Sequence, residues 1–178
     1  MKRALLFILF AACDQSPKVC PIGDDIDEQT RLSVCAAEIE VCEPSATIGR
    51  GSGGAFRAFD PAEVVSLDVA PQGGFGVSIK VRTVGLIAGD DKVAEITLDV
   101  EMDGNNVGTH TQPVSLLCQE TGEGEVFGVV VGFDPSVYST NDALTQLDGK
   151  EVLLKVILTD EAGTETTAES TVTINVGG

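Results

Sequence analysis

Tryptophan is missing from this 178-residue chain, histidine and tyrosine occur once each, and aromatic residues make up 4% of it. So few flat rings poorly supply a stacking platform for sugars or bases. Cationic residues are scarce too, with Lys+Arg at 11 against Asp+Glu at 28 and a formal charge of −17. A chain without clustered Lys and Arg cannot neutralise phosphates, which excludes nucleic acid as a partner. Long apolar runs are also lacking. The apolar stretch Ala4–Ala12 rises only about 13 Å as a helix, short of the roughly 20 residues that span a bilayer. With 43% hydrophobic residues, the chain is nonetheless too apolar to be globally disordered.

The N-terminus has the anatomy of an export signal. Met1-Lys2-Arg3 is a basic start, Ala4–Ala12 is a short apolar stretch, and small residues precede a break. Phe10-Ala11-Ala12-Cys13 then resembles the lipobox of bacterial lipoproteins, in which two small residues precede a cysteine. That resemblance implies cleavage before Cys13, acylation of Cys13, and residues 1–12 as the signal peptide. Phe10 stands where Leu is usual. An ordinary secretory peptide cut near Ala12 is the alternative, with Cys13 then half of a disulfide. The residue after the cysteine is Asp14, which resembles an inner-membrane retention signal of enteric bacteria without deciding between membranes here.

Cysteine parity favours the lipid. With Cys13 acylated, Cys20, Cys35, Cys42 and Cys118 remain, an even number suited to two disulfides in an oxidising compartment. Three pairings are open; the expectation leans to Cys20–Cys35 and Cys42–Cys118. Their spacing lacks paired C-x-x-C knuckles, and the single His110 is far from Cys20–Cys42, so no zinc site is expected.

The remainder divides into a tether and cysteine-containing lead-in over 13–45 and a body over 46–178. Within the lead-in, Ile26–Val41 suits either a short helix capped by Asp24 or Asp25, or irregular structure held by disulfides. In the body the hydrophobic period becomes two. Phe75, Val77, Ile79 and Val81 alternate with Gly76, Ser78, Lys80 and Arg82, and Ile96–Met102 repeats the pattern. Asp103-Gly104-Asn105-Asn106 supplies turn residues, and Val107–Gln112 returns as a partner strand. Val126–Phe133 is apolar on both faces, as in a central strand, and ends at Asp134-Pro135. Val152–Leu158 and Thr164–Val176 form a last pair around Asp160-Glu161-Ala162-Gly163, and Val64–Ala70 adds another strand. One helical turn is expected between Ser139 and Gly149, capped by Asn141 or Asp142. Seven or eight short strands rich in β-branched residues predict an all-β fold, an antiparallel two-sheet sandwich of immunoglobulin-like type, with a closed barrel as runner-up.

Little in the sequence carries chemistry. Gly49–Gly54 matches G-x-G-x-x-G formally, but Asp60-Pro61 and strand patterning follow instead of a helix, so it reads as a loop. Ser52 is not in a nucleophile elbow, because Arg50 stands where the first Gly belongs. His110 has no second histidine and no marked nucleophile, and reads as a surface strand residue. Calcium has two candidate sites, Asp24–Glu28 and Asp103–Asn106, and neither follows an EF-hand ladder. Lys80 and Arg82 share one strand face, where a facing Asp or Glu is expected. No catalytic residue, metal ligand or cofactor is assigned.

Two further stretches resemble a known group. Phe56, Phe59 and Asp60 after a glycine-bearing loop, then Pro71-Gln72-Gly73-Gly74-Phe75 opening a strand that ends near Leu86, resemble lipoproteins of myxobacteria and related delta-type proteobacteria. Leu147–Lys150 through Asp160–Gly163 resembles the last hairpin of bacterial immunoglobulin-like modules. The resemblance implies the fold and the lipidated, exported state; it implies no activity and no binding residue. The functional expectation is a non-enzymatic, lipid-anchored binding or structural module of the bacterial cell envelope, touching the membrane through its lipid and meeting a protein or envelope partner. The competing expectations are an envelope enzyme or accessory subunit using acidic residues, and a calcium-dependent adhesion module.

Overall fold

The computed structural model describes residues 44–51, 55–70, 73–119 and 123–177. Eleven strands and one short helix follow in order: β1 Ser45–Arg50, β2 Arg57–Ala58, β3 Glu63–Ser66, β4 Asp68–Val69, β5 Phe75–Val84, β6 Val93–Met102, β7 Asn105–Ser115, β8 Leu117–Cys118, β9 Gly124–Gly132, α1 Asn141–Thr145, β10 Glu151–Thr159 and β11 Glu165–Asn175. They build two sheets. One runs β2-β1-β5-β9-β8 with β4 also on β5, and the other runs β3-β11-β10-β6-β7. All pairings are antiparallel except β3 on β11. The architecture is an all-β sandwich.

Alternation in the sequence becomes inside and outside in the fold. Val77, Ile79 and Val81 of β5, Ile96, Leu98 and Val100 of β6, and Val152, Leu154, Val156 and Leu158 of β10 are all buried in one core. That interior excludes water from aliphatic side chains at roughly 25 cal/mol per Å², the main favourable contribution to the fold. The β6–β7 turn is Asp103-Gly104, both at positive φ (52° and 75°), as a type I′ hairpin requires.

Four local expectations are corrected. Val64–Ala70 is not one strand, because the chain pairs with β11 as β3, crosses at Leu67, and pairs with β5 as β4. The helix cap is Thr140, whose hydroxyl accepts from Ala143 N, rather than Asn141 or Asp142. Val126–Phe133 lies inside its sheet between β5 and β8, as expected of a central strand, but a bulge leaves Phe127 and Gly128 exposed. The segment read as a glycine loop begins inside a strand, since Gly49 pairs with Lys80 and Ala58. There a Cβ would land on the Arg57 carbonyl, so only glycine lets β2 approach β1 this closely.

Candidate functional site

The densest charge cluster among the described residues lies on the outer face of the first sheet. Arg82 on β5 sits directly opposite Glu125 on β9. Two positions along β5 is Lys80, and there the register slips: Ile79 faces Val129 while Val81 faces Val126, so β9 carries an extra residue. Gly128, at φ 64°, absorbs that bulge, and Phe127 projects outward beside it.

The bulge assembles a set of charged and aromatic contacts. Glu125 is fully buried (0% exposed), and Lys80 is nearly so at 5%. Lys80 Nζ donates to Glu125 Oε1 at 2.9 Å and to the Ala55 carbonyl at 3.0 Å. Arg82 donates from Nε and Nη2 to Glu125 Oε2 at 3.2 and 3.0 Å, and its Nη1 meets Glu123 at 3.1 Å. Phe127 lies over Lys80 Nζ at 4.2 Å, and Phe56 lies over the Arg82 guanidinium at 4.5 Å. Gly49 makes room for Phe56, whose ring tip occupies the space a Cβ would need. The acid expected opposite Lys80 and Arg82 is therefore Glu125. Both its oxygens are engaged by cations and neither faces solvent, so the arrangement is a brace between β5, β9 and the Ala55–Phe56 segment.

A second cluster ties the two sheets together. Glu63 on β3 pairs with Arg50 of β1 and with Arg57 of β2, the latter at 2.5 Å. Arg57 also reaches Asp60 at 3.0 Å, and Asp60 N donates to Glu63. The hydrogen bond from Arg57, with the Asp60 amide and the charge of Arg50 assisting against partial desolvation, holds the Glu63 carboxyl below its ordinary range. A carboxylate depressed in the folded state stabilises fully above its unfolded value near 4.5 and loses that contribution as pH falls through the lower folded value. Glu63→Gln is therefore expected to flatten the acid limb of stability below about pH 5, measured as Tm against pH beside wild type. An acid limb identical to wild type contradicts the assignment.

The other buried acid, Asp160, accepts from the amides of Ile87, Ala162 and Thr164, at 3.0, 3.0 and 2.9 Å, and so joins two turns at one end of the sandwich. His110 is half-buried on β7, with Nε2 3.2 Å from Gln112 Oε1. It borders a cleft of about 540 Å³ where β7 meets the end of β9. At that corner a Cβ on Gly108 would strike the Gly132 carbonyl, and Asp134 N donates to the Val107 carbonyl.

Of the sequence-derived site residues, Cys118 lies half-buried on β8. Cys13, Cys20, Cys35 and Cys42 lie outside the described residues, as do Asp24–Glu28, Ile26–Val41 and Ser52. Asp103–Asn106 forms the β6–β7 turn and the start of β7. There Asn106 is spent on Asp99, Thr109 and Gly108 N, and no group of three or more His, Cys, Asp or Glu converges among the described residues. Sequence reasoning did not single out Glu125, Glu63 or Asp160; the paired cations Lys80 and Arg82 were the one signal pointing at the first. No family model matches the chain, and no curated protein matches it.

Proposed function

We propose that the chain is an exported protein anchored in the bacterial cell envelope by lipid on Cys13, whose sandwich serves binding or envelope structure rather than catalysis. The observation that carries the anchor is the basic start, short apolar stretch and Phe10-Ala11-Ala12-Cys13 sequence. A diacylated cysteine supplies two acyl chains, where one alone holds a protein only marginally. The buried acids Glu125 and Asp160 and the half-buried Glu63 support a non-enzymatic body, because each is committed to structural partners.

The sandwich is immunoglobulin-like in this proposal. With β1, β5, β6, β7, β8, β9, β10 and β11 as strands A, B, C, C′, D, E, F and G, the order becomes ABED against GFCC′, with β3 parallel to G. Aliphatic residues such as Ile79 and Val156 fill the core, and the chain has no tryptophan. The kinship with myxobacterial lipoproteins belongs to the same proposal and rests on the residues given for it above.

A disulfide brace completes it. In this proposal Cys118 is one half of a disulfide whose other half is Cys20, Cys35 or Cys42. Ala46, Thr83, Gly124 and Cys118 occupy one row across β1, β5, β9 and β8, a span of about 14 Å at the usual strand spacing. Four extended residues from Ala46 back to Cys42 cover roughly 13 Å, and a disulfide adds about 5.5 Å between Cα atoms. That reach supports Cys42–Cys118 as one pair in this proposal, with Cys20–Cys35 as the other.

The test of a binding role is photocrosslinking in the native envelope, competed with excess purified domain. A saturable, competed partner is expected. Turnover of a cell-wall or peptide substrate that single Asp or Glu substitutions abolish would overturn the reading in favour of an envelope enzyme.

A further inference from the structure

The second sheet has one long edge strand, β7, and its backbone alternates in a way the register fixes. Leu116 N donates to the Lys92 carbonyl, which makes that pair a hydrogen-bonded one. Counting back along the β6–β7 register, the hydrogen-bonded pairs fall at Val114, Gln112, His110 and Gly108. The backbone groups of Thr109, Thr111, Pro113 and Ser115 therefore point away from β6. Two observations agree with that parity. Proline, which has no N–H, occupies one of the outward positions, and the hydroxyls of Thr97 and Thr111 meet at 2.9 Å, as closely spaced pairs without backbone hydrogen bonds allow. Among the described residues, the only strand pairing of β7 is with β6.

The outward groups are bounded on both sides. At one end the Val107 carbonyl is taken by Asp134 N; at the other, Pro113 withholds its N–H. Between them Thr109 and Thr111 offer an N–H and a carbonyl each, and Pro113 a carbonyl. The cleft beside His110 and Gly132 opens on the inner side of this window, and on the outer side the neighbouring strand presents Glu95, Asp99 and Glu101. Lys155, opposite Asp99 on β10, is bridged between Glu101 and Glu169.

We propose that β7 is the docking edge of this domain, and that its occupant is a short, extended, basic segment of another protein that adds a strand at Thr109–Pro113. This rests on the binding-module reading and deepens it by naming the surface and the partner chemistry. Main-chain hydrogen bonds supply the pairing, while alternate side chains turn toward the cleft and toward the acidic outer face. Charge complementarity selects the guest: the local face is acidic, the chain as a whole carries −17, and a lysine or arginine on the outer side of the guest reaches Asp99 and Glu95 across the threonines. Pro113 limits the register to a few residues, so the edge accepts a short guest without propagating a larger sheet.

The probe is a fluorescein-labelled Lys-Val-Lys-Val-Lys-Val peptide titrated against the purified chain, with amide chemical shifts recorded alongside. Binding is expected with the largest shifts at Thr109 and Thr111. Thr111→Pro removes the outward N–H together with the hydroxyl that meets Thr97 and is expected to weaken binding tenfold or more, whereas Thr111→Val loses the same hydroxyl, keeps the N–H and stays within about twofold of wild type. A peptide N-methylated at alternate residues gives the same loss without altering the protein, so the result does not depend on the variant folding. Equal binding by wild type, Thr111→Pro and the N-methylated peptide overturns the proposal. So does a shift map centred on Glu165 and Glu169, which would mean charge attraction alone, or β7 pairing only with a second copy of this chain. Failure here with competed crosslinking retained removes the β7 site and leaves the binding role standing; failure of both removes both.

Discussion

Glu125→Ala is expected to lower stability by roughly 3–5 kcal/mol, a fall in Tm on the order of 10–20 °C for a domain of this size. The cause is the charge left behind. Lys80 is 5% exposed and donates to Glu125 at 2.9 Å, while Arg82 directs Nε and Nη2 at the same carboxylate. Removing the acid takes the shared carboxylate from Lys80 and Arg82 beneath Phe127 and Phe56, where water replaces it poorly. The intact cluster is a different matter, since a buried ion pair often stabilises no more than apolar residues of the same volume. Lys80→Met combined with Glu125→Leu is therefore expected to cost less than Glu125→Ala alone, with Arg82 still paired to Glu123 at 3.1 Å. Glu123→Ala, a half-buried partner at the rim of the cluster, should cost under about 1 kcal/mol. Thermal or urea unfolding of the three variants beside wild type checks the ranking, and a Glu125→Ala domain as stable as wild type would contradict the brace.

The cluster shows how far sequence reading goes in a β protein. Period two in Phe75–Val81 correctly placed Lys80 and Arg82 on one face and called for an acid opposite. It could not choose Glu125 among 28 acids, because the choice depends on which strand lies beside β5 and in what register. The bulge at Phe127–Gly128 left no periodic trace, since it sits in a run read as apolar on both faces. Gly49 was read as loop chemistry for a related reason. Its lack of a side chain serves a close strand approach, and only the pairing partner reveals that. The Asp103-Gly104 turn was legible because its requirement for positive φ is local and written in two adjacent residues. Thr140 was passed over as the helix cap since Asn141 and Asp142, one and two positions later, are equally good capping types.

The edge of β7 was legible only in part. Val107–Gln112 is readable as a polar strand from its residues, but which backbone groups point outward follows from the Leu116–Lys92 hydrogen bond and the β6 register. Pro113 looks different in that setting. A proline within a strand pattern argues for an edge, and here it falls at a position whose N–H would have gone unused by β6.

The second large effect concerns Cys13. A basic start, a nine-residue apolar stretch and Phe10-Ala11-Ala12-Cys13 together call for cleavage before residue 13 and acylation of its thiol. Changing that thiol to a hydroxyl removes the group that forms the thioether to lipid, so the expected effect on labelling is complete rather than graded. On the proposed cleavage, loss of Lys2 and Arg3 would make the mature chain more acidic than the precursor, which would suit a domain held away from anionic lipid head groups on a polar tether.

The account therefore rests most directly on one measurement: metabolic labelling with an alkynyl fatty acid, paired with N-terminal mass analysis, of wild type and Cys13→Ser in a bacterial host. Wild type is expected in the membrane fraction, labelled and beginning at an acylated Cys13, while Cys13→Ser carries no label and keeps residues 1–12. Equal labelling of the two, or cleavage of both at the same place, would contradict a lipid-anchored module.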